Sequence, residues 1–427
     1  MDMKQYIPRI ADDILDSKLE SKGAVLIEGP KWCGKTTTAA QKAKSIVYLQ
    51  DPATTEEISL RASLDLSFLL KGESPRLIDE WQDYPELWDA IRMEVDRRDE
   101  FGQFMLTGSA VPPDTDKIKH TGTGRITRLM MRPMSLAESG DSSRQVSLAS
   151  LFKGEFLEQT AEKQYVLEDI AYLICRGGWP KAIGISERAA LAQAPDYFEG
   201  IVSSDINRAS KIKRKEDTTR LIMKSYARNI GSQISYAGIL RDIEANCRET
   251  ISENTLKGYI DDLNKIFIFE DSPAWNPNLR SKTAIRTSDT RYYMDPSVAA
   301  AALGAGPGDL VNDLQSMGFF FENMAIRDLR IYADALGGEI RHYRDKRELE
   351  CDAVIHLRNG SYGLVEIKLG GEKLIKEGIA TLSKLEEKLD TTKMKKPAFK
   401  MILTAVGKSA FITENGIYVV PITMLGA

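Results

Sequence analysis

The chain has 427 residues, of which 42% are hydrophobic and 28% are charged, and its formal net charge at pH 7 is −4. This length allows two to four domains with buried cores, and the composition excludes a disordered or fibrous protein. The slight negative charge gives no general attraction to nucleic acid, so any such contact has to come from a local basic patch.

Cysteine and histidine are too sparse to suggest a zinc site or a disulfide framework. The chain has three histidines and no CxxC pair, and its four cysteines are Cys33, Cys175, Cys247 and Cys351. The acidic N-terminal segment has no apolar core, so we expect no signal peptide. No apolar run approaches the roughly 18 residues of a membrane span. We therefore expect a cytoplasmic protein that does not enter membranes.

The first predicted element is an amphipathic helix over residues 1–20. Four apolar side chains share one face of this helix: Ile7, Ile10, Ile14 and Leu15. Beyond it, strands and helices alternate up to about residue 135. This alternation predicts a mainly parallel sheet that is covered by helices on both faces.

A complete GxxxxGK[ST] pattern lies between an apolar strand, residues 24–27, and a predicted helix over residues 37–44. The pattern and its next residue are Gly29, Pro30, Lys31, Trp32, Cys33, Gly34, Lys35, Thr36 and Thr37. Glycines let the backbone wrap a phosphate, and the helix N-terminus adds positive potential. Lys35 would reach the β- and γ-phosphates, and the Thr36 hydroxyl would ligate Mg²⁺. The pattern predicts a site for ATP and Mg²⁺, against the alternative of an ordinary glycine turn.

Two carboxylates end the next short apolar strand, which begins at Arg76. Asp79 would hold Mg²⁺ through water, and Glu80 would polarise the attacking water. Phosphoryl transfer asks the protein mainly for positioning and charge stabilisation. The pair therefore predicts hydrolysis of the bound nucleotide, and a solvated acidic pair is the alternative.

A third strand, residues 104–106, runs into Thr107-Gly108-Ser109. A polar side chain at the end of a strand beside the Asp-Glu strand can contact the γ-phosphate or its water. Thr107 is our first choice for this contact and Ser109 is the second.

Residues 120–125 are rich in Thr and Gly and predict a loop on the nucleotide side. Arg125 and Arg128 are the candidate arginines for stabilising charge in the transition state, and solvated loop arginines are the alternative. We prefer Arg125. An arginine in this role normally comes from a neighbouring subunit or a partner, so it would imply self-association or a protein partner.

The middle of the chain, residues 136–210, is predicted to be mainly helical. Two glycines and a proline break it at Arg176–Pro180, and we assign this turn to packing or to a hinge. The sequence then predicts a winged helix over residues 215–300. Its predicted elements are helices over residues 216–229, 236–245 and 253–265, the last capped by Ser252, and a hairpin from residues 266–269 to 292–294.

The third of these helices has too few basic residues for reading a DNA groove. It carries Lys257 and Lys265 against Glu253, Asp261 and Asp262. Protein contact or domain packing is therefore the favoured use. A denser basic run, residues 208–215, remains a candidate for binding nucleic acid, although such a run commonly marks a solvated helix end.

Two predicted C-terminal strands carry the second candidate site. Asp352 lies in residues 349–357, and Glu366 and Lys368 lie in residues 362–369. This arrangement resembles the PD-(D/E)xK nucleases. The resemblance implies that Asp352 and Glu366 hold Mg²⁺ while Lys368 orients or activates the attacking water.

Strand register sharpens this prediction. Apolar side chains at odd positions of both strands, such as Ala353 and Val365, have to share one face. Odd residues then pair with odd residues, which requires a loop of odd length rather than a two-residue Asn-Gly turn. In that register Asp352 lies on the same face as Glu366 and Lys368. Glu322 is a candidate accessory carboxylate, and Glu350 shares the Asp352 face.

Several short segments together resemble the bacterial and archaeal AAA-type ATPases that carry a C-terminal domain of unknown function. The segments are YIPR, GPKWCGKT, LIDEWQ, FMLTGS, RGGWP, Tyr197-Phe198-Glu199 with Asp205, and the Glu-x-Lys strand. The resemblance covers nearly the whole chain. It implies an ATPase core, a helical and winged-helix middle and a nuclease-like C-terminal fold.

The expected fold class is therefore α/β, with an N-terminal P-loop NTPase sheet of AAA type. The expected domains are the ATPase over residues 1–138, a helical lid or linker over 139–212, a winged helix over 213–302 and a PD-(D/E)xK nuclease-like α/β domain over 303–427. The expected function is ATP hydrolysis coupled to the C-terminal module, which would act on nucleic acid. The alternatives are a nucleotide-gated switch for a protein partner and a DNA-binding ATPase without cleavage.

Overall fold

The computed structural model describes residues 6–112, 118, 120–247, 250–277, 288–389 and 394–427. These residues form two compact units. The first unit contains the described residues up to Pro133 together with Ser203–Arg214 and Asp261–Ile268. The second consists of Met134–Val202, Lys215–Ile260 and Phe269–Ala427. The division into four domains stays a prediction.

The first unit is built on a five-stranded sheet in which all neighbouring strands are parallel. Its strands are β1 (Ala24–Glu28), β2 (Ser45–Tyr48), β3 (Arg76–Asp79), β4 (Phe104–Gly108) and β5 (Ile126–Met130). Their order across the sheet is β2-β3-β4-β1-β5, so β4 separates the strand before the phosphate loop from the strand that ends in Asp79. The predicted parallel sheet is confirmed.

Helices cover both faces of this sheet, as predicted. They are α1 (Ile10–Leu19), α2 (Lys35–Ala40), α3 (Thr55–Leu64) and α4 (Leu87–Arg98). Val25 and Ile27 pack in one apolar cluster with Leu15 of α1, whereas Leu26 packs in another with Trp88 of α4. Alternate side chains of β1 thus enter opposite cores, and each large buried side chain contributes about 1.5–3 kcal/mol.

The N-terminal helix is shorter than predicted. Pro8 disfavours helical backbone at Ile7, and Arg9 at the start of α1 is extended, with φ −113° and ψ 148°. The helix therefore begins at Ile10, and Ile7 does not belong to its apolar face. Residues 1–5 of the predicted helix lie outside the described residues.

Two segments join the first unit from later in the chain. The first follows α8 (Glu187–Gly200) and contains α9 (Ile206–Ala209), and the second holds the end of α12 (Glu253–Lys265). A buried ion pair of 2.6 Å between Arg214 and Asp262 ties the two segments to each other. Arg214 belongs to the basic run at residues 208–215, so part of this run is used inside the fold.

The helices predicted for the middle of the chain are confirmed. They are α10 (Glu216–Arg228), α11 (Tyr236–Cys247) and α12. Ser252 caps α12 by accepting a hydrogen bond of 3.1 Å from the N–H of Thr255. The predicted hairpin has bridges between Phe269 and Tyr293 and between Ser272 and Thr290. The winged-helix assignment of these elements stays a prediction.

The RGGWP turn is part of a buried hydrogen-bond network. Gly177 ends α7 (Leu167–Arg176) with φ 69°. The N–H of Gly178 donates to Asp295, and the indole N–H of Trp179 donates to Ser297, at 3.0 and 2.9 Å. Asp295 also forms a 2.7 Å ion pair with Arg327, and both side chains are almost completely buried. Of the two predicted roles of the turn, packing is confirmed and the hinge stays a prediction.

The second unit contains a seven-stranded sheet in the order β7-β12-β13-β11-β10-β9-β8. Its strands are β7 (Gln159–Thr160), β8 (Gly338–Arg344), β9 (Glu350–Leu357), β10 (Tyr362–Lys368), β11 (Phe399–Thr404), β12 (Ser409–Ile412) and β13 (Tyr418–Pro421). Strands β8, β9 and β10 are antiparallel, whereas β10 and β11 are parallel and are linked by α16 (Glu372–Lys388).

The remaining elements of the second unit surround this sheet and the middle helices. They are α5 (Leu136–Ser139), β6 (Val146–Ser147), α6 (Leu148–Lys153), α13 (Pro296–Leu303), α14 (Pro307–Asn312), α15 (Leu314–Ala335) and β14 (Leu425–Gly426). Strand β6 pairs with β14 at the C-terminal end of the chain. Among the described residues, no helix combines the length and the apolar composition that a membrane crossing requires.

Candidate functional site

The phosphate loop connects the carboxyl end of β1 to α2, and its backbone takes conformations that glycine favours. Gly29 has φ 154° and Gly34 has φ 104°, and Trp32 between them also has a positive φ of 66°. A Cβ on Gly29 would lie 2.1 Å from the carbonyl oxygen of Met131, so no larger residue fits there. The sequence and this close approach together shape a loop whose N–H groups can face a phosphate.

Lys35 lies inside the loop although it is a charged residue. Only 4% of it is exposed, and its ammonium group donates hydrogen bonds to the carbonyls of Gly29 and Pro30 at 2.9 and 2.8 Å. The ammonium group is therefore held at the concave side of the loop, where it can contact the phosphates of a nucleotide.

The carboxylate of Asp79 accepts hydrogen bonds from hydroxyl groups on two other elements. The Thr36 hydroxyl at the start of α2 donates to Oδ1 of Asp79 at 2.6 Å. The Thr107 hydroxyl at the end of β4 donates to the same oxygen, also at 2.6 Å. The structure thus brings together the three predicted residues at the carboxyl edge of the sheet. Hydroxyl and carboxylate oxygens are ligands that suit Mg²⁺ beside a phosphate, so this donor set fits the predicted ion.

Glu80 follows Asp79 in a left-handed conformation with φ 58°. Its N–H donates to the Thr107 hydroxyl at 3.1 Å, and its Oε2 accepts a hydrogen bond of 2.7 Å from Ser109. The side-chain amide of Gln82 donates to the same carboxylate oxygen. Ser109 therefore contacts Glu80, and Gln82 is a neighbour of Glu80 that sequence reasoning missed.

Arg9 is a second residue that sequence reasoning missed. Its guanidinium group donates to the carbonyl of Cys33 at 2.7 Å and to the carbonyl of Arg132 at 2.8 Å, and the residue is only 6% exposed. The Cys33 thiol also contacts the carbonyl of Met131 at 3.2 Å. Arg9 thus braces the phosphate loop from outside. Its only signal in the sequence was its place in the YIPR segment.

The side chain of Lys31 points out of the loop toward α9. Its ammonium group forms an ion pair of 2.5 Å with Asp205. Arg208, one turn further on, is close enough to Asp83 to affect that carboxyl group. Burial raises the pKa of Asp83 and the charge of Glu80 adds to this, whereas Arg208 and Lys31 act in the opposite direction. Residues from the segment Ser203–Arg214 therefore reach the surroundings of the phosphate loop.

Arg125 and Arg128 do not join this group of residues. The carbonyl of Arg125 accepts a hydrogen bond from Ala24, the first residue of β1, whereas the phosphate loop follows the last. A five-residue strand spans about 16 Å, so Arg125 lies at the opposite edge of the sheet, where it pairs with Asp96 at 2.7 Å. The prediction that this arginine lies on the nucleotide side of its own sheet has to be corrected. A role at a neighbouring copy stays a prediction.

Arg128 pairs with Glu28 at 2.7 Å, and its guanidinium group lies 5.7 Å from the ring of Trp88. These contacts hold the side chain against the helix-α4 face of the sheet. Burial raises the pKa of Glu28, and the charge of Arg128 acts against this increase. The ion pair with Glu28 and the contact with Trp88 therefore give Arg128 a structural role within the sheet.

The C-terminal carboxylates meet in the predicted register. Val365 pairs with Ala353 and Gly363 with Ile355, so odd residues pair with odd residues. Lys368 contacts Glu366 at 2.7 Å and Asp352 at 3.3 Å. Asp352 also accepts a hydrogen bond of 2.7 Å from the N–H of Ile367. The odd-length loop and the shared face are confirmed, although the chemical role of this cluster stays a prediction.

Burial dominates the electrostatics of this cluster. It raises the pKa of Glu366 to about 8, the charge of Asp352 adds to the increase, and Lys368 acts against it. Burial also raises the pKa of Glu322 far above its ordinary value, and the Tyr292 hydroxyl donates a hydrogen bond to that carboxyl group. The charge of Asp352 adds to this increase and that of Lys368 acts against it, and the role of Glu322 as an accessory carboxylate stays a prediction.

The donor groups of this cluster do not form a complete metal cage. Glu350 is held by Arg344 at 2.9 Å rather than by the cluster. Within the described parts of the chain, no group of three or more His, Cys, Asp or Glu side chains is arranged to hold a metal ion. The ammonium group of Lys368 is the cation that contacts both Asp352 and Glu366. Metal binding by these two residues stays a prediction.

Three family models match successive parts of the chain. Residues 21–140 match an AAA domain. Residues 167–309 match a domain of unknown function, DUF8612, and residues 317–425 match another, DUF4143.

Proteins and solved structures that are similar to most of the chain are distant in sequence. The chain is 22% identical over 346 residues to the uncharacterized proteins Rv2008c of Mycobacterium tuberculosis and Mb2031c of Mycobacterium bovis, covering 81% of this chain and 70% of each relative. A Walker-type ATPase of Pyrococcus abyssi, PABY2304, has 14% identity and a TM-score of 0.43, covering 70% of this chain and 96% of that one.

The matched AAA domain coincides with the parallel sheet and with the phosphate loop. The N-terminal region is therefore of P-loop ATPase type, which supports ATP binding by this chain. The two matched domains of unknown function carry no activity over to the rest of the chain.

Proposed function

We propose that this protein is an ATPase that binds ATP with Mg²⁺ at the phosphate loop and hydrolyses it. The observation that supports this most is the meeting of Thr36, Thr107 and Asp79 at the carboxyl edge of the sheet, with Glu80 beside them. An ordinary glycine turn would have no reason to bring two hydroxyls and two carboxylates to one place.

The proposed reaction assigns a separate task to each of these groups. Backbone N–H groups of the loop and the ammonium group of Lys35 bind the phosphates of ATP. Bound Mg²⁺ neutralises charge on the phosphate oxygens, and Thr36 and Asp79 are the residues that would hold it. Glu80 orients the attacking water, whose oxygen bonds to the γ-phosphorus while the bond to the β–γ bridging oxygen breaks. Thr107 holds the Asp79 carboxylate and accepts a hydrogen bond from the backbone N–H of Glu80, and Ser109 donates to the Glu80 carboxylate.

Two substitutions test the proposed reaction in the purified full-length protein. Lys35→Ala is expected to abolish ATP turnover by weakening phosphate binding, whereas Glu80→Gln is expected to keep binding and lose hydrolysis. Phosphate release and ATP binding are measured for both variants and for Lys71→Ala, an exposed lysine outside the site, as the control. Wild-type rates of phosphate release in either site variant would refute the assignment.

We further propose that the nucleotide state is coupled to a nuclease-like module at the C-terminus. The grouping of Asp352, Glu366 and Lys368 on one sheet face supports this proposal, because two carboxylates and a lysine can serve metal-assisted hydrolysis of a phosphodiester. Glu322, whose pKa the charge of Asp352 raises further, supports it as an accessory carboxylate.

A nucleotide-gated interaction switch is the alternative function. The contacts of Lys368 with both carboxylates favour it, since the ammonium group is already a cation that contacts the two residues. In this alternative, ATP binding sets the conformation that a protein partner recognises, and no nucleic acid is cut. A DNA-binding ATPase without cleavage is less supported, because Arg214 of the basic run is buried against Asp262.

Digestion of nucleic acid separates these functions. Single- and double-stranded DNA and RNA are incubated with the wild type, Asp352→Ala and Lys368→Ala, with and without ATP and Mg²⁺. The nuclease proposal predicts cutting by the wild type that both variants lose. Equal cutting by all three proteins would indicate contamination, and no cutting of any substrate would favour the interaction switch.

A further inference from the structure

A loop residue of the nucleotide site is tied to a segment that the linear motif does not contain. The ammonium group of Lys31 lies 2.5 Å from Oδ1 of Asp205, and the side chains of the two residues are 31% and 12% exposed. This pair joins the third residue of the phosphate loop to Ser203–Arg214 within the first compact unit. It is therefore a partly buried contact between the phosphate loop and a later segment of the same unit.

The same segment is also connected to the residues that follow β4. Arg214 at its end forms the buried ion pair with Asp262, and Asp262 also pairs with Lys265 at 2.8 Å. The carbonyl of Lys265 accepts a hydrogen bond of 2.9 Å from Val111. Val111 lies two residues after Ser109, whose hydroxyl donates a hydrogen bond to Glu80. Ser203–Arg214 and Asp261–Ile268 thus form a strap from the phosphate loop to the strand-β4 side.

An incoming nucleotide and Asp205 have the same sign of charge. The phosphates of ATP would occupy the concave side of the loop, and Lys31 belongs to that loop. The phosphates and Asp205 would then compete for the same ammonium group, that of Lys31, in a partly buried place where charge interactions are stronger than in water. The phosphates attract Lys31 toward the nucleotide, whereas Asp205 holds it toward the segment Ser203–Arg214, so nucleotide binding and the Lys31–Asp205 pair oppose each other.

We propose that Asp205 is a positioning residue that restrains Lys31 and thereby lowers the affinity of the site for ATP. ATP binding in turn weakens the attachment of the strap to the phosphate loop, because the coupling between two binding equilibria is reciprocal. This inference rests on the proposed nucleotide site and adds its regulation. The strap is the element through which nucleotide binding changes the rest of the unit.

The test measures nucleotide affinity in the full chain with Glu80→Gln, which prevents turnover during the measurement. Titration calorimetry with ATP and Mg²⁺ compares this background with the added changes Asp205→Asn, Lys31→Gln and both together. Asp205→Asn is expected to tighten ATP binding about fivefold or more, which is the low end of ordinary allosteric coupling. In the Lys31→Gln background, the same change is expected to have little effect.

Asp16→Asn is the matched control. It also removes a carboxylate that is paired with a lysine, Lys42, at 2.6 Å. This pair involves α1 and the residues after the C-terminal end of α2, away from the phosphate loop. ATP affinity is expected to stay unchanged, which separates the specific pair from a general effect of negative charge.

Hydrogen exchange gives a second readout that a merely structural contact would not produce. Amides of residues 203–214 are expected to exchange faster when ATP is bound, and this response should be lost in Lys31→Gln. Unchanged or weaker ATP binding in Asp205→Asn would overturn the inference, as would an equal gain in the Lys31→Gln background. Failure of the Glu80→Gln protein itself to bind ATP would instead overturn the proposed function and this inference with it.

Discussion

At the scale of single residues, Asp79 is the point at which separate parts of the chain converge. Thr36 comes from the loop-helix junction and Thr107 from the strand between β1 and β3, and both donate to one oxygen. Parallel strands bring their carboxyl ends to one edge of the sheet, so polar residues at these ends lie close together wherever the strands are neighbours. For this reason the sequence could predict which residues lie there.

Other residues of the site could not be predicted because their partners are backbone atoms or distant side chains. Arg9 binds two carbonyl groups, and a carbonyl leaves no mark on the identity of its residue. Asp205 lies 174 positions from Lys31, and its role depends on how a later segment returns to the first unit. Arg125 was misplaced because loop composition does not tell at which end of a strand the loop lies.

Glu366 gives a prediction on pH dependence. Burial holds its pKa at about 8 in the folded chain, whereas an unfolded carboxyl group titrates near 4.3. Between these values the folded state carries a proton that the unfolded state has lost, so stability falls as the pH rises. Lys368 keeps its proton throughout this pH range, because its ordinary pKa already lies above the range and is raised further in the fold.

In the presence of a chelator, raising the pH from 6 to 8 is expected to lower the free energy of unfolding by about 2 kcal/mol through this one group. Urea denaturation of the second unit at the two pH values measures the effect. Glu366→Gln cannot titrate and should lose this part of the pH dependence. An identical pH dependence in wild type and variant would show that Glu366 is not protonated in the fold.

At the scale of elements, the spacing of apolar residues and the positions of turn residues predicted most helices and strands. The β9–β10 register followed from the parity of the apolar residues, and Gly360 with φ 80° lies in the loop that this register requires. Two-residue strands such as β6 and β7 were not predicted, because they exist only through pairing with strands near the C-terminus. Their local sequence contains no strand pattern of useful length.

The RGGWP turn shows how a short motif can act through packing. Its backbone and indole group contact Asp295 and Ser297 at the start of α13, and Asp295 balances the buried charge of Arg327. Removing the charge of Asp295 would leave Arg327 with one carboxylate, Asp328, in a buried place. A buried charge that loses a partner destabilises a fold far more than an exposed one.

Asp295→Asn is therefore expected to lower the free energy of unfolding by about 3 kcal/mol, at the low end for a broken buried pair since Asp328 remains. Guanidinium denaturation followed by circular dichroism measures the change. Glu377→Gln removes a carboxylate from an exposed pair with Lys373 and should change stability by less than about 0.5 kcal/mol. Similar effects of the two substitutions would contradict the structural role of the network.

At the scale of the whole molecule, the two compact units do not follow the order of the chain. The first unit takes in Ser203–Arg214 and Asp261–Ile268 in addition to the N-terminal sheet. Composition and motif spacing cannot reveal that these two segments belong to the first unit, because their sequences have the same helical patterns as the segments next to them. The predicted boundaries near residues 138 and 212 lie close to places where the chain passes between units, although the four-domain division itself does not follow from them.

This organisation predicts which part of the molecule a nucleotide stabilises. All residues that we assign to ATP binding belong to the first unit, so ATP with Mg²⁺ should raise the unfolding temperature of that unit. At a nucleotide concentration of about 100 times Kd, binding adds about 2.7 kcal/mol to its stability. Differential scanning calorimetry measures the shift, and hydrogen exchange during heating assigns each transition to a unit.

Thr36→Ala, which removes one proposed Mg²⁺ ligand, should show a smaller shift with ATP and Mg²⁺. A shift confined to the second unit, or one that Thr36→Ala leaves unchanged, would show that the nucleotide binds elsewhere.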